Sequence, residues 1–217
     1  MQLLRPLQAG FLLLSLAALA NATPVPPSQI QFVGAPTGVS DGQFYVLPYQ
    51  IKIDGNLNLV TCYDSLDHVS VGDIWQANLL NVSDAANFGY FSGKINSLSL
   101  YERVAWLSSR TYANVSQQIG LQHAIWNVFG SASMTADATT YSNAADTAAA
   151  GGYSGFSFST FRFIEQVGGV PGSQGTKQPF VYRQPLAPMP EPGAMAQLAG
   201  GVFLTLAAGR YWRRKES

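Results

Sequence analysis

The chain has 217 residues, 12 lysines and arginines against 12 aspartates and glutamates, and 11% charged residues where an average soluble domain has about 25%. The absence of a basic surplus argues against a nucleic-acid partner, and 47% hydrophobic residues are too many for a disordered chain. One Cys and two His exclude an intramolecular disulfide, a four-cysteine zinc site and an iron–sulfur cluster. We therefore expect neither a metal nor a cofactor.

The N-terminal segment has the pattern of a secretory signal peptide. Residues 1–5 are short and basic, residues 10–19 are apolar, and Ala20-Asn21-Ala22 is a small-x-small cleavage site. The apolar run is too short to span a bilayer. We therefore predict a signal peptide over residues 1–22 and an exported mature chain, in which residues 23–42 are a leader and residues 43–184 form one domain.

Alternating polar and apolar residues predict antiparallel strands in the first half of this domain. One or two strands cover residues 43–53 with a break at Pro48, and Asp54-Gly55 predicts a tight turn into a strand over residues 57–63. A further strand is predicted over residues 73–80. This reading places Cys62 at the end of a strand.

The middle of the domain has helical spacing. Helices are predicted around residues 98–107, 119–129 and 141–150, with Gly130 as the stop of the second. Strands return at residues 156–167 and 179–183. The order predicts an α+β fold: an antiparallel sheet or sandwich with a helical insertion packed on it.

Gln122 lies on the apolar face of the second predicted helix, where an unpaired carboxamide costs about 1–3 kcal/mol. Ordinary hydrogen bonds are one way to satisfy it. The other is covalent: the Cys62 sulfur attacks the Gln122 side-chain carbonyl, expels ammonia and leaves an internal thioester. The residues alone leave both open, with Cys62 as a small buried hydrophobe in the first case.

Five segments around this pair resemble the bacterial thioester domain family. They are Tyr45-Val46-Leu47-Pro48-Tyr49, Cys62-Tyr63-Asp64, Val69 to Trp75, Ala105-Trp106-Leu107, and Gln122-His123-Ala124-Ile125-Trp126. The resemblance implies an α+β fold in which a thioester joins a sheet to a helical subdomain. It implies that Cys62 and Gln122 form the bond, with Ile125 and Trp126 packed behind it.

Opening such a bond needs modest acid–base help, for which His123, His68 and Asp64 are candidates. Surface or structural roles are the alternative for each. Asp64 and Asp67 are also spaced to act as a pair of hydrolase carboxylates, although such residues more often belong to turns. Because no other nucleophile or phosphate-binding motif is present, we expect a protein that is not an enzyme.

The C-terminal segment has a second sorting pattern. A Pro-rich linker over residues 185–192 contains Pro190-Glu191-Pro192, and residues 193–217 contain an apolar run that ends in the basic residues Arg213, Arg214 and Lys215. Seventeen residues from 193 to 209 make a helix of about 26 Å, close to the bilayer core of about 30 Å. The basic cluster is expected to stop the chain on the cytoplasmic side of the inner membrane.

This segment resembles the PEP-CTERM sorting signal of Gram-negative bacteria. The resemblance implies processing by an exosortase near Pro190-Glu191-Pro192, anchoring in the inner membrane before processing, and a final place at the cell surface or in an exopolysaccharide matrix. A permanent membrane anchor is the alternative.

Three functions follow from the sequence. The first is a surface or extracellular-matrix protein that attaches covalently, through a thioester, to an amine- or hydroxyl-bearing partner. The second is a non-covalent exopolysaccharide-binding or structural module on the same fold. The third is a secreted hydrolase that uses Asp64 and Asp67.

Overall fold

Six antiparallel strands close into a barrel in the computed structural model, which describes residues 26–130 and 132–184. The strands are β1 (Ser28–Gly34), β2 (Tyr49–Ile53), β3 (Asn56–Cys62), β4 (Ile74–Leu80), β5 (Phe161–Gln166) and β6 (Phe180–Arg183). Their order around the barrel is β1-β2-β3-β6-β5-β4. Because the sheet closes on itself, each of these six strands pairs with a neighbouring strand on both sides.

Four helices of the described residues stand between β4 and β5 in the chain. They are α1 (Val82–Phe88), α2 (Ser97–Ser108), α3 (Val115–Asn127) and α4 (Ala136–Ala150). The predicted α+β class and antiparallel strand pairing are therefore confirmed. The sheet or sandwich of the prediction is a closed barrel in the structure, because β1 pairs on one side with β2 and on the other with β4.

Strand β1 lies inside the segment that the sequence reading treated as a leader over residues 23–42. Its buried side chains Ile30 and Phe32 alternate with the more exposed Gln29 and Gln31, which is the pattern of a strand with one face in the core. The barrel thus includes residues upstream of the domain start placed at residue 43. This strand was not predicted because seven residues of alternating polar and apolar character, next to several prolines, are a weak signal for a strand.

The predicted hairpin is present, with differences at the strand ends. Asp54 and Gly55 both have positive φ angles, of 48° and 86°, as the tight turn between β2 and β3 requires. Residues 43–48 form a loop, so only the part of the predicted strand after Pro48 pairs as β2. Strand β5 starts at Phe161, five residues later than predicted.

Two helices begin at asparagines whose side chains cap them. Asn81 accepts a hydrogen bond from the Asp84 N–H at the start of α1, and Asn114 accepts one from the Gln117 N–H at the start of α3. The α3 helix packs closely on α4 at Gly120, where an added Cβ would lie 2.3 Å from the Asp137 Cβ. This contact fixes the helix that carries Gln122.

The predicted signal peptide and the sorting tail, with Pro190, Glu191, Pro192, Arg213, Arg214 and Lys215, lie outside the described residues. Within residues 26–130 and 132–184, no helix combines the length and the apolar character needed to cross a membrane.

Candidate functional site

The structure brings Cys62 and Gln122 together. Cys62 is the last residue of β3 and Gln122 lies on the buried face of α3, and both are fully buried. The Gln122 Nε2 donates a hydrogen bond of 2.7 Å to the Cys62 carbonyl oxygen. A contact between residues 60 positions apart therefore joins the barrel to the helical layer.

The Gln122 carboxamide is held at both of its ends. Its Oε1 accepts a hydrogen bond of 3.0 Å from the backbone N–H of Leu47, in the loop before β2. One helical turn earlier, the Gln118 Nε2 donates to the Leu47 carbonyl at 2.5 Å. Two glutamines of α3 thus hold both backbone polar groups of one loop residue, and the Leu47 N–H points at the oxygen on which negative charge develops when the carboxamide carbon is attacked.

The Cys62 thiol has its own partners. The S–H donates to the Asp64 carbonyl at 2.7 Å, and the Trp126 Nε1 donates to Sγ at 3.4 Å. Burial raises the pKa of the Cys62 thiol well above its usual value; the hydrogen bond from the Trp126 indole opposes this rise, and the charges of Asp64 and Asp67 add to it. At neutral pH the sulfur is a protonated thiol, so its attack on a carbonyl requires that the proton be passed on.

An open cleft of about 470 Å³ lies beside the site. Its lining includes Asp41, Gln43, Phe44, Ser65, His123 and Trp126. Trp126 has one side in this cleft and donates to the Cys62 sulfur, so a single indole separates the cleft from the thiol. The volume falls within the range of about 300–1,000 Å³ of ligand-binding pockets.

Asp41 and His123 are paired through a side-chain contact at the wall of the cleft. The His123 Nε2 lies 2.8 Å from Asp41 Oδ2, and its Nδ1 lies 3.2 Å from the Ser133 carbonyl oxygen, to which it donates. Burial alone would raise the pKa of the Asp41 carboxyl, but hydrogen bonds from the Phe44 and Gln43 N–H groups and from His123 outweigh it and lower the pKa.

The three acid–base candidates occupy different places. His123 faces the cleft, His68 is exposed and stacks on the Phe44 ring at a centroid distance of 5.5 Å, and Asp64 is fully buried below the cleft. Asp64 Oδ1 accepts from the Leu66 N–H at 3.1 Å, as a turn residue does. His123 is the candidate whose ring nitrogen lies within hydrogen-bond distance of a carboxylate, that of Asp41.

The hydrolase pair of the third sequence hypothesis is also buried. Asp67 is 3% exposed, and its Oδ1 accepts a hydrogen bond of 3.0 Å from the Gly172 N–H. Burial raises the pKa of the Asp67 carboxyl to about 6; the Gly172 hydrogen bond and His68 oppose the rise, and Asp64 adds to it. Both carboxyls hold loop backbone, which matches the turn alternative weighed from the sequence.

The sequence reading missed Asp41, Gln118 and the Leu47 N–H. Gln118 was detectable, since it stands four residues before Gln122 and so shares its helix face. Asp41 was not, because its contact with His123 spans 82 residues and depends on how a loop folds back.

A second buried polar cluster lies on the far side of β3. The Glu165 carboxylate accepts hydrogen bonds from the Tyr63 hydroxyl, from the Tyr101 hydroxyl at 2.9 Å and from the Tyr90 N–H at 2.7 Å. Burial raises the pKa of this carboxyl, and these three donors oppose the rise. Rings of Phe91, Phe129 and Phe163 pack against Tyr63.

Comparison of the chain with protein-family models, curated proteins and solved structures gives no match. Among residues 26–130 and 132–184 there is no group of three His, Cys, Asp or Glu side chains arranged to hold a metal ion. The functional argument therefore depends on the geometry of the Cys62–Gln122 site.

Proposed function

We propose that this chain is an exported protein whose barrel-and-helix domain forms an internal thioester between Cys62 and Gln122 and attaches covalently to an amine- or hydroxyl-bearing partner. The observation that supports this most directly is the contact of the two fully buried residues, with the Gln122 Nε2 2.7 Å from the Cys62 carbonyl oxygen. A lone Cys of the proposed exported chain and a core Gln, whose carboxamide is costly to bury without a partner, are brought to one place.

Bond formation joins Cys62 Sγ to the side-chain carbonyl carbon of Gln122 and breaks the bond from that carbon to Nε2. The thiol proton leaves on the nitrogen, so the products are the thioester and ammonia. The Leu47 N–H, 3.0 Å from Oε1, stabilises the oxyanion of this step and of the later opening by the partner. The buried site keeps water from the bond until the partner arrives.

In this proposal, the two terminal segments determine the location in the cell at which the domain reacts with its partner. The proposed signal peptide exports the chain, and the tail anchors it in the inner membrane until an exosortase-type enzyme cuts near Pro190-Glu191-Pro192. The attached domain then belongs to the cell surface or an extracellular exopolysaccharide matrix. In this role the protein is a single-use reagent and not an enzyme.

Intact-mass measurement of the full chain expressed with its processing enzymes tests the thioester. The wild type should be about 17 Da lighter than its residues require, because ammonia has left. The Cys62→Ala and Gln122→Ala variants, processed in the same way, should show their full masses and no labelling by methylamine.

A wild type of full mass with one titratable thiol in freshly purified, amine-free protein contradicts the covalent proposal. That result would favour the non-covalent matrix-binding module, for which the open polar cleft beside Trp126 is the candidate contact site.

A further inference from the structure

The burial of Cys62 and Gln122 creates a problem of access. Both residues are fully buried, and Trp126, which separates them from the open cleft, is 1% exposed. A nucleophile on a macromolecular partner cannot reach the Gln122 carbonyl carbon in this arrangement. Part of the cover must move before the partner can react.

The outer layer of the cover is a turn over residues 41–46, which we call the Phe44 turn. The Phe44 ring meets the Trp126 indole edge to face at 6.0 Å, and Trp126 in turn donates to the Cys62 sulfur. The turn leads directly into Leu47, whose N–H holds the Gln122 carbonyl oxygen. Movement of this turn therefore exposes Trp126 and loosens the Leu47 contact together.

Open space flanks the Phe44 turn on both sides. Gln43 and Phe44 line the cleft of about 470 Å³ and also a second cavity of about 350 Å³ on the His68 side. Tyr45, at the tip, is 59% exposed. Residues 41–45 of the turn are partly or largely exposed and have room on either side, while the fully buried Val46 anchors the end of the turn in the core, so the exposed part opens at lower cost than the core.

One side chain both shapes the turn and fastens it to α3. Asp41 Oδ1 accepts the N–H groups of Gln43 and Phe44, each at 2.8 Å, while Oδ2 pairs with His123 Nε2 at 2.8 Å. Gly42 has a φ of +100°, a conformation that an L side chain rarely adopts. The Asp41–His123 pair is therefore a side-chain tie between the turn and the helix that carries Gln122.

We infer that the 470 Å³ cleft is the route by which a nucleophile approaches Gln122, and that Asp41 and His123 are positioning residues that hold the Phe44 turn across it. This inference rests on the proposed function for its chemistry. In the reaction that the route serves, the incoming nitrogen bonds to the Gln122 carbonyl carbon and the bond to Cys62 Sγ breaks. The electron pair goes to sulfur, and the proton released by the nitrogen ends on sulfur, giving an amide and a thiol.

The test compares the opening of the thioester by a small and a large primary amine, methylamine and acetyl-lysine methylamide, with intact mass as the readout. His123→Phe keeps a ring against Trp126 but removes both ring-nitrogen contacts. We expect it to react about tenfold faster with the large amine, a smaller acceleration with methylamine, and little change in melting temperature. His123→Gln, whose amide can donate to Asp41, should restore much of the wild-type discrimination by size.

Asp73→Asn is the matched control, because it disrupts a different ion pair, to Lys177, of the same 2.8 Å length. Its rates should equal those of the wild type. Unchanged rates in His123→Phe would overturn the inference. Slower rates would overturn it too, since they would show that His123 serves as a base and not as a fastening.

The same comparison separates this inference from the proposed function. If the wild type has its full mass and no thioester, the alkylation of the free Cys62 thiol by iodoacetamide and by a bulky maleimide replaces the amine reactions. Faster alkylation in His123→Phe would then support the access route while the covalent proposal fails, and equal alkylation would contradict both.

Discussion

Cys62 and Tyr63 are neighbours in the chain, yet their side chains belong to two buried polar clusters of different character. Tyr63 donates to Glu165, whose carboxylate also receives Tyr101 and the Tyr90 N–H, inside a shell of aromatic rings. Cys62 meets Gln122 and Trp126 below an open cleft. Successive side chains at a strand end point in opposite directions, so the step from the last residue of β3 to the next residue separates the two environments.

The difference shows what burial does in each cluster. Around Glu165, the carboxyl accepts hydrogen bonds from three donors, two of which are hydroxyls of tyrosines that pack against phenylalanine rings, an arrangement that joins the barrel to α2 and to the residues after α1. At Cys62, burial instead keeps a soft nucleophile and a carboxamide apart from water, with a cover fastened through Asp41 and His123. The first cluster should control stability, and the second should control reactivity.

The largest expected effect is from Glu165→Ala. It leaves two buried tyrosine hydroxyls and the Tyr90 N–H without their acceptor, and such a loss costs about 3–5 kcal/mol of the free energy of unfolding. Urea unfolding measures this cost. Asp146→Asn, which removes the negative charge from the partly exposed Arg103–Asp146 ion pair, is the control and should change stability by no more than about 1 kcal/mol. Equal effects of the two variants would refute the structural role of the Glu165 cluster.

Parts of the fold with strong local signals could be predicted from the sequence. Helices α2 and α3 follow from apolar spacing, and the β2–β3 hairpin follows from Asp54-Gly55. The approach of Cys62 to Gln122 followed from family resemblance combined with the cost of a buried amide. The helices and the hairpin depend on residues that are close in sequence, and the contact depends on the Cys62–Gln122 pair that the family resemblance singled out.

Other parts depend on contacts that no local pattern encodes. Closure of the barrel requires β1 to pair with β4, which starts 40 residues after the end of β1. The Tyr63–Glu165 contact spans 102 residues, and the Asp41–His123 contact spans 82. In the sequence, Glu165 is part of an alternating strand pattern and Asp41 is part of a loop. Neither local pattern indicates the distant partner of the side chain.

An intermediate effect is expected from Gln122→Ala, measured in a Cys62→Ala background so that no covalent bond contributes to either protein. The substitution leaves the Leu47 N–H and the backbone carbonyl of residue 62 without their Gln122 partner, and we expect a loss of about 2 kcal/mol in the free energy of unfolding by urea. A Gln117→Ala variant, which removes a half-buried glutamine of the same helix whose Oε1 accepts the exposed Ala113 N–H, serves as the control. A loss as large as that of Glu165→Ala would erase the distinction between the two clusters.

The smallest effect concerns Asp67, which lies buried near the Cys62 site and whose pKa is raised to about 6. Because the folded pKa exceeds the unfolded value of about 3.9, the protonated carboxyl favours the folded state, and this contribution is full below about pH 4 and lost as the pH rises through about 6. Asp67→Asn removes the titration, so it should gain about 1 kcal/mol relative to the wild type between pH 4 and pH 7. Urea unfolding of both proteins across this range measures the gain, and a constant difference would show that the Asp67 carboxyl titrates as it does in the unfolded chain.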